Sequence, residues 1–283
     1  MKISDAWQVS PSERPRYDTP PRIDVDCLVI GDAQVPFHDA EFINRCKHVA
    51  FAFGIKTCIW GADMVDFHAL AQWVSHDEER SLEHELAEGQ KHLDEIAAGF
   101  DEVHWIRGNH ENRIVNALGR WLPTERIAMM LGTGAHVKAY DYYWMQVGDD
   151  WLIEHPYNAS VIPARVAAWL AEKYNRNVIT FHGHTLGEAQ TRGGQRIGID
   201  CGVSCDPEKL AYQTMRHNTR TAMMRGAVIL RRGNDNVFYK IHLDEWVDFD
   251  LLAGMGEQCQ RQKQYVEIGE AKQNASKPLK SRR

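Results

Sequence analysis

The chain has 283 residues, of which 43% are hydrophobic and 25% charged, a composition that excludes disordered, fibrous and membrane-embedded proteins. The chain has 33 basic and 39 acidic side chains, which give a net charge of -6. This excludes a protein whose overall charge attracts nucleic acid or another polyanion. The six cysteines form no C-x-x-C pair in a chain long enough to fold without disulfide bonds, so we expect reduced thiols and a cytoplasmic location. The N-terminal residues lack the apolar core of a signal peptide, and we expect no contact with a membrane.

The first half of the chain alternates short apolar runs with helical patterns. Residues 1–22 contain four prolines and predict an extended N-terminal arm, after which we expect one domain over 23–250. Alternation of strands and helices predicts parallel strands joined by crossovers. The predicted elements are strands at Val25–Ile30, Lys56–Trp60 and Glu102–Ile106 and helices at 39–53 and 78–100.

The second half is richer in strands and turns. Gly148-Asp149-Asp150 separates two apolar runs and predicts a hairpin. The expected picture is a layered α/β domain with two β-rich faces, one in each half. The predicted elements are a helix at Pro163–Tyr174 and strands at Tyr142–Val147, Trp151–His155, Asn177–His182, Glu188–Arg192, Arg196–Cys201, Gly226–Arg231 and Val237–His242.

The C-terminal region 251–283 is polar and is predicted to be a flexible, basic tail. Within it, residues 261–283 carry seven Lys or Arg against two Glu. Charge runs of this kind are usually solvated termini, and the alternative interpretation is an arm that binds a polyanion.

Polar residues follow three of the predicted strands directly. Asp32 and Gln34 come after the first strand, Asp63 and Asp66 after the second, and Asn109 with His110 after the third. Carboxyl ends of parallel strands form the crevice in which open α/β sheets bind ligands, so we expect these three loops to meet.

Two later strands end in imidazoles. His155 closes one, and His182 and His184 follow the other. A mixture of carboxylate, carboxamide and imidazole ligands suits Mn²⁺, Fe²⁺ or Zn²⁺. The sequence therefore predicts a divalent-metal centre.

These blocks resemble the calcineurin-like metallophosphoesterases, whose pattern is D-x-H, G-D-x-x-D, G-N-H-(D/E), an isolated His and G-H-x-H. The most specific match is Arg107-Gly108-Asn109-His110-Glu111, and the resemblance runs from Asp32 to His184. It implies a four-layer αββα sandwich of two mixed sheets flanked by helices. It also implies two divalent ions, with manganese favoured over magnesium, iron and zinc.

The resemblance further implies a role for each matched residue. Asp63 would bridge two metals, and His110 would be the acid opposite a metal-bound hydroxide. Asp66 would orient its neighbours, and Arg107 or Arg113 would hold a phosphate oxygen, Arg113 being equally readable as a solvated helix residue. The implied ligands are Asn109, His155 and His184 at one ion and Asp32 at the other.

Three positions depart from the family pattern. Gln34 stands for the His of D-x-H, the G-D block reads Gly61-Ala62-Asp63, and Leu186 stands for the second His of G-H-x-H when Gly183-His184 is aligned with that block. One metal position is then expected to be depleted and weak. His182 is a candidate substitute ligand, the alternative being a strand-end histidine bonded to backbone.

The predicted activity is hydrolysis of a phosphodiester in nucleic acid or a nucleotide, because Arg113 after the G-N-H-E block resembles nuclease-like members. Two alternatives stay open: a phosphomonoesterase, favoured by Arg107 before that block, and a metal-bound interaction module without catalysis. DNA or RNA is thus a candidate partner, and oligomeric state is not predicted.

Trp73, Trp121 and Trp144 are candidates for an exposed stacking surface.

Overall fold

The structure is a computed structural model that describes residues 19–71, 81–210 and 223–275. All ten predicted strands are present, with ends that differ by at most two residues, and the two short strands at Arg22–Ile23 and Val137–Ala139 were not predicted. In chain order the strands are β1 (Arg22–Ile23), β2 (Cys27–Ile30), β3 (Thr57–Trp60), β4 (Glu102–Trp105), β5 (Val137–Ala139), β6 (Trp144–Val147), β7 (Trp151–Glu154), β8 (Asn177–Thr180), β9 (Leu186–Gln190), β10 (Ile197–Cys201), β11 (Gly226–Arg232) and β12 (Phe238–Asp244).

The first two helices begin at residues whose side chains cap them. Asp39 accepts a hydrogen bond from the Phe42 N–H, and Ser81 accepts one from His84, so the first two helices start where a side-chain oxygen satisfies a free N–H. The α-helices of the described residues are α1 (Ala40–Ala52), α2 (Leu82–Ala97), α3 (Glu111–Leu118), α4 (Thr124–Met130), α5 (Arg165–Tyr174) and α6 (Phe249–Ala275).

The strands form two six-stranded mixed sheets. The first sheet has the order β12-β11-β2-β3-β4-β5, and β2 to β5 are parallel, as the alternation of elements predicted. The second sheet has the order β1-β6-β7-β8-β10-β9. Its β6–β7 pair is the antiparallel hairpin predicted at Gly148.

The expectation of one β-rich face per half of the chain is wrong. Strands β11 and β12, late in the sequence, belong to the first sheet, where β11 pairs antiparallel with β2. Every residue from Gly226 to Leu230 is buried. A strand buried at every position must be covered on both faces, and a position inside the sandwich provides that cover whereas a sheet edge does not.

The hydrophobic cores show how the sheets and helices are layered. Val29 and Ile59 of the first sheet pack with Ile153 and Ile179 of the second. Alternate residues of the first sheet, such as Leu28, face a separate core that it shares with α1, α2, α3, α4 and α6. Helix α5 covers the other face of the second sheet, where Leu170 of the helix packs with Val178 of β8. The predicted four-layer αββα sandwich is confirmed.

The chain termini differ from the predicted boundaries. Residues 1–18 of the predicted arm lie outside the described residues, and Arg22 already belongs to β1. The predicted tail starts inside α6, whose Phe249 and Ala253 are buried against the first core because they lie one helical turn apart on its apolar face. Residues 276–283 lie outside the described part, and a flexible end there stays a prediction.

All six cysteines are free thiols, and five of them are buried. Burial raises the pKa of Cys27 and Cys46 well above the ordinary value, so these two thiols behave as apolar packing residues. Across residues 19–71, 81–210 and 223–275, no helix has the length and apolar character needed to span a bilayer.

Candidate metal centre

Three loops of the first sheet meet at the carboxyl ends of its parallel strands, as predicted. The loop after β2 binds the loop after β3 through Gln34 N–H to the Asp63 carbonyl oxygen, 2.9 Å. The loop after β4 joins them because the His110 N–H donates to Asp63 Oδ1, also 2.9 Å. Asp63 therefore lies where all three loops touch.

The second sheet brings its histidines to the same place. His155 follows β7 and lies with Nε2 3.1 Å from Asp63 Oδ2. His184, in the loop after β8, has Nε2 3.1 Å from Asp32 Oδ2, and the His182 N–H donates to that same oxygen at 3.0 Å. The centre is thus built between the two sheets, with carboxylates from one and imidazoles from the other.

The backbone of these loops is held in an uncommon conformation. Seven residues other than glycine adopt positive φ between +45° and +80°: Asp32, Gln34, Ala62, Asp63, Phe67, His182 and His184. Each such residue costs about 1–2 kcal/mol, and such strain persists only where the surrounding structure fixes it. Clusters of this kind occur at functional sites, which agrees with the position of this one.

Two glycines are required for the close approach of the loops. A Cβ on Gly61 would lie 1.9 Å from Cε2 of Phe181, which packs between the sheets under the loop. A Cβ on Gly108 would lie 2.1 Å from Asp63 Oδ1. Any side chain at Gly108 would therefore displace the carboxylate at the middle of the centre.

Two groups of side chains have the composition and spacing of a metal site. In each group the ligand atoms lie within 4.8 Å of one another, and Asp63 belongs to both. Three buried oxygen atoms around them accept no hydrogen bond: Asp32 Oδ1, Gln34 Oε1 and Asn109 Oδ1. Buried polar atoms are normally satisfied, so unpaired oxygens converging on carboxylates and imidazoles fit a divalent cation. The groups are Asp63 with His155 and His182, and Asp32 with Asp63 and His184.

This grouping corrects the predicted assignment of the histidines. His184 lies with Asp32 and Gln34 rather than with His155, and its Nε2 is 3.2 Å from Gln34 Nε2. His182 takes the place expected for His184. This geometry differs from the predicted alignment of Gly183-His184 with the family block, because His182 and His184 each join one of the two groups.

Leu186 lies outside both groups. It is the first residue of β9 and pairs with Cys201 of β10, two residues beyond the loop that carries the histidines. In this grouping the imidazole of His184 lies with Asp32 and Asp63, and a depleted metal position stays a prediction. Gln34 stays the departure from the pattern that touches this group.

The charges of the centre are strongly coupled. Burial opposes ionisation of Asp63, yet His110 and His155 hold its pKa well below the ordinary value. Burial likewise opposes the charge on His155, whose pKa is nevertheless raised well above the ordinary value by Asp63 and Asp32. Burial, and next the charge of His155, lowers the pKa of His182 to about 4, so its imidazole is neutral and able to bind a cation at neutral pH.

His110, Asp66 and Arg113 form a second cluster beside the carboxylates. His110 Nδ1 lies 2.8 Å from Asp66 Oδ1, and its Nε2 lies 3.6 Å from Asp63 Oδ2. Although burial opposes it, Asp63 and Asp66 raise the pKa of His110, and Arg113, with Nη2 3.0 Å from Nε2, opposes them. Arg113 also donates to the Asp66 carbonyl oxygen at 2.7 Å. Asp66 and Arg113 thus contact the two ring nitrogens of His110.

Arg107 is buried and ion-paired, which differs from the predicted contact of one of the two arginines with a phosphate oxygen. Its side chain is fully buried and turned toward Asp141, with Nη1 3.0 Å from Oδ1. Nη1 also donates to the Leu122 carbonyl oxygen and to Thr124 Oγ1, at 3.0 and 3.1 Å. The guanidinium of Arg107 therefore forms a structural ion pair with Asp141. An arginine in the sequence could equally form such a pair or bind an anion, and the residue type does not distinguish the two roles.

Two buried carboxylates were not identified from the sequence. Glu111 accepts hydrogen bonds from the N–H groups of Gly108, Asp63 and Met64, so it ties the loops after β3 and β4 together. Burial, and then the charge of Asp63, raise the pKa of Glu111 to about 7. The position of Glu111 at the end of the G-N-H-E block was the sequence signal that could have identified it.

The second of these carboxylates, Asp200, accepts hydrogen bonds from Thr185 Oγ1 at 2.8 Å and from Thr180 Oγ1. These bonds brace the loop between Thr180 and Thr185 that carries His182 and His184. Asp200 lies in an apolar strand with no motif around it, so no sequence signal indicated it.

Comparison with known proteins yields structural likeness only. No protein-family model and no curated protein matches the sequence. Similar solved structures include YfcE, a phosphoesterase from E. coli, at 14% identity over 78% of this chain and 100% of that chain, with a TM-score of 0.37. Vacuolar protein sorting 29 from Cryptosporidium parvum is similar at 13% identity over 77% of this chain and 96% of that chain, with a TM-score of 0.38. Neither likeness identifies a substrate, because fold does not determine function.

Proposed function

We propose that this protein is a metal-dependent phosphoesterase of the calcineurin-like kind that hydrolyses a phosphodiester in nucleic acid or a nucleotide. The observation that carries the proposal is the pair of ligand groups sharing Asp63. A carboxylate common to two clusters of buried ligands is what a bridged pair of divalent ions requires.

Each ion would be held by residues from both sheets. The first would bind Asp63, Asn109, His155 and His182, and the second would bind Asp32, Gln34, Asp63 and His184. Manganese suits these mixed oxygen and nitrogen donors. When bound, the ions would supply positive charge for the phosphoryl oxygens and a water molecule that ionises near neutral pH.

His110 is the residue we assign as the acid of the reaction. It is buried beside Asp63 but lies outside both ligand groups, so its imidazole is free to deliver a proton to the leaving oxygen. Asp66 holds it through Nδ1, and, although burial opposes them, Asp63 and Asp66 raise the pKa of His110, which favours the protonated imidazole. Arg113, one quarter exposed, is placed to meet a phosphate oxygen next to it.

The arrangement of cations favours a diester over a monoester. A phosphomonoester carries close to two negative charges at neutral pH and a diester carries one. Of the two arginines that the sequence offered, Arg107 is turned into the fold, which leaves only Arg113, itself paired with Asp66, to meet a phosphate oxygen. The smaller charge of a diester needs less compensation beyond that of the metal ions.

The decisive experiment measures turnover of bis(p-nitrophenyl) phosphate and p-nitrophenyl phosphate with Mn²⁺, Mg²⁺, Zn²⁺ or chelator. We expect metal-dependent hydrolysis with a higher kcat/KM for the diester, and its loss in Asp63→Asn. Asp149→Asn, whose side chain is 85% exposed, is the matched control and should keep full activity.

A higher kcat/KM for the monoester would identify a phosphomonoesterase instead. Metal binding without turnover of either ester would identify an interaction module. Turnover that survives both chelation and Asp63→Asn would refute the metal-dependent mechanism.

A further inference from the structure

Two exposed aromatic rings lie next to the candidate metal centre. Trp121 is 48% exposed and Tyr143 is 36% exposed, although burial of aromatic surface is favourable. Trp121 was one of three tryptophans predicted to be available for stacking. Of the other two, Trp144 packs on the opposite face of the second sheet with Leu152, and Trp73 lies outside the described residues.

Tyr143 is attached to the centre on two sides. Its carbonyl oxygen accepts a hydrogen bond of 2.8 Å from the N–H of His155, a proposed metal ligand. Its hydroxyl lies 2.8 Å from Nδ2 of Asn112, and the Asn112 N–H donates to the carbonyl oxygen of Asn109, another proposed ligand, at 3.2 Å. The backbone of Tyr143 is therefore bonded to one proposed ligand, and its hydroxyl is connected through Asn112 to the other.

Trp121 is fixed next to the same asparagine. The guanidinium of Arg107 lies 4.4 Å from the centroid of its indole ring, a cation–π contact. Arg107 Nε also donates to Asn112 Oδ1 at 2.9 Å, so Asn112 connects the supports of both rings. Because the ion pair with Asp141 immobilises Arg107, the indole is held in place while nearly half of its surface faces solvent.

We propose that Trp121 and Tyr143 form a stacking subsite for the nucleobase adjacent to the scissile phosphodiester, an inference that rests on the proposed phosphodiesterase function. Every base offers a flat π face, and exposed aromatic rings bind bases without reading their sequence. Asn112 is given a supporting role and not one in reading the base, because its amide already holds Arg107 and Tyr143. The subsite therefore distinguishes nucleotides from other diesters and does not distinguish one base from another.

Two esters with the same leaving group test this subsite: thymidine 5′-(p-nitrophenyl phosphate) and methyl p-nitrophenyl phosphate, both with Mn²⁺. Base stacking of the usual strength predicts that Trp121→Ala lowers kcat/KM for the thymidine ester about 5- to 150-fold more than for the methyl ester. Tyr143→Ala should act in the same direction. Trp121→Phe and Tyr143→Phe keep a ring and should restore most of the selectivity.

The matched control is Trp246→Ala, because Trp246 is 72% exposed and follows β12, at the far edge of the first sheet from β4. It should change neither ester. Thermal unfolding of each variant shows whether the fold is kept. An equal loss on both esters, or selectivity unchanged in Trp121→Ala and Tyr143→Ala, would overturn the subsite.

Failure of the proposed function gives a different result, since the wild type would then hydrolyse neither ester. In that case calorimetry with thymidine 5′-monophosphate decides the matter for the subsite. Weaker binding in Trp121→Ala but not in Trp246→Ala would support it, and equal binding in both variants would overturn it.

Discussion

Replacement of Arg107 by methionine separates a structural role from a catalytic one. The guanidinium is fully buried, and Nη1 lies within 3.1 Å of three acceptors, including Asp141 Oδ1. Removing one partner of a buried ion pair costs about 3–5 kcal/mol because the other charge is left unpaired. Asp141 would keep two donors from Thr124, its N–H and its hydroxyl, which places the expected loss at the lower end.

We therefore expect Arg107→Met to lower the free energy of unfolding by about 3 kcal/mol, which lowers the melting temperature by about 6–12 °C in a chain of this size. Urea unfolding and calorimetry measure the two quantities. The matched control is Arg196→Met, because the ion pair of Arg196 with Asp150 is partly exposed and should contribute less than about 1 kcal/mol. Adding Asp141→Asn should recover part of the loss, since it removes the unpaired charge.

The contrary result for Arg107 is equally clear. A stability loss below about 1 kcal/mol, together with a fall of more than about 100-fold in kcat/KM for methyl p-nitrophenyl phosphate, would refute the structural role. It would mean that the guanidinium leaves Asp141 to bind the substrate, as the sequence predicted.

Three further substitutions test the centre itself. His110→Asn should lower kcat about 10²- to 10⁴-fold while calorimetry shows metal binding retained, and activity above about a tenth of wild type would contradict its role as acid. Glu111→Gln weakens the acceptor of three N–H bonds and should reduce metal affinity about 10- to 100-fold, whereas unchanged affinity would show that the loops hold without it. His182→Ala and His184→Ala should each weaken a different one of two metal sites in a titration, and loss of the same site in both would refute the grouping.

The sequence predicted which loops build the centre because strand ends are marked by simple signals. Apolar runs end at Gly31, Gly61 and Gly108, and polar residues follow each of them. Parallel pairing then brings such loops to one edge whatever the details of packing. Asp32 and Asp63 therefore came together as expected.

The partners of His182 and His184 could not be predicted in the same way. Both histidines have positive φ, at +70° and +58°, so their loop does not follow the alternation that an extended segment would give. Spacing in the sequence then no longer shows which ligand group each side chain joins. The direction of Arg107 was equally hidden, because it depends on Asp141, which lies 34 residues away.

The helix that replaces the predicted tail shows another limit. The polar composition of 251–283 conceals apolar positions such as Ala253, which together with the preceding Phe249 packs the first turns of α6 against the core that contains α1. Average composition does not detect so narrow an apolar face.

The positive-φ residues of the centre limit which amino acids these loops can accept. At Asp32 and Asp63 the backbone favours glycine, whereas the chemistry needs a side-chain oxygen, and asparagine and aspartate are the residues that meet both demands. His182 and His184 have no such alternative, because other residues with a ligating nitrogen or sulfur fit this backbone poorly. In a saturation mutagenesis library we therefore expect almost every substitution at these positions to abolish function. This is unusual for loops without regular secondary structure, which generally accept substitutions.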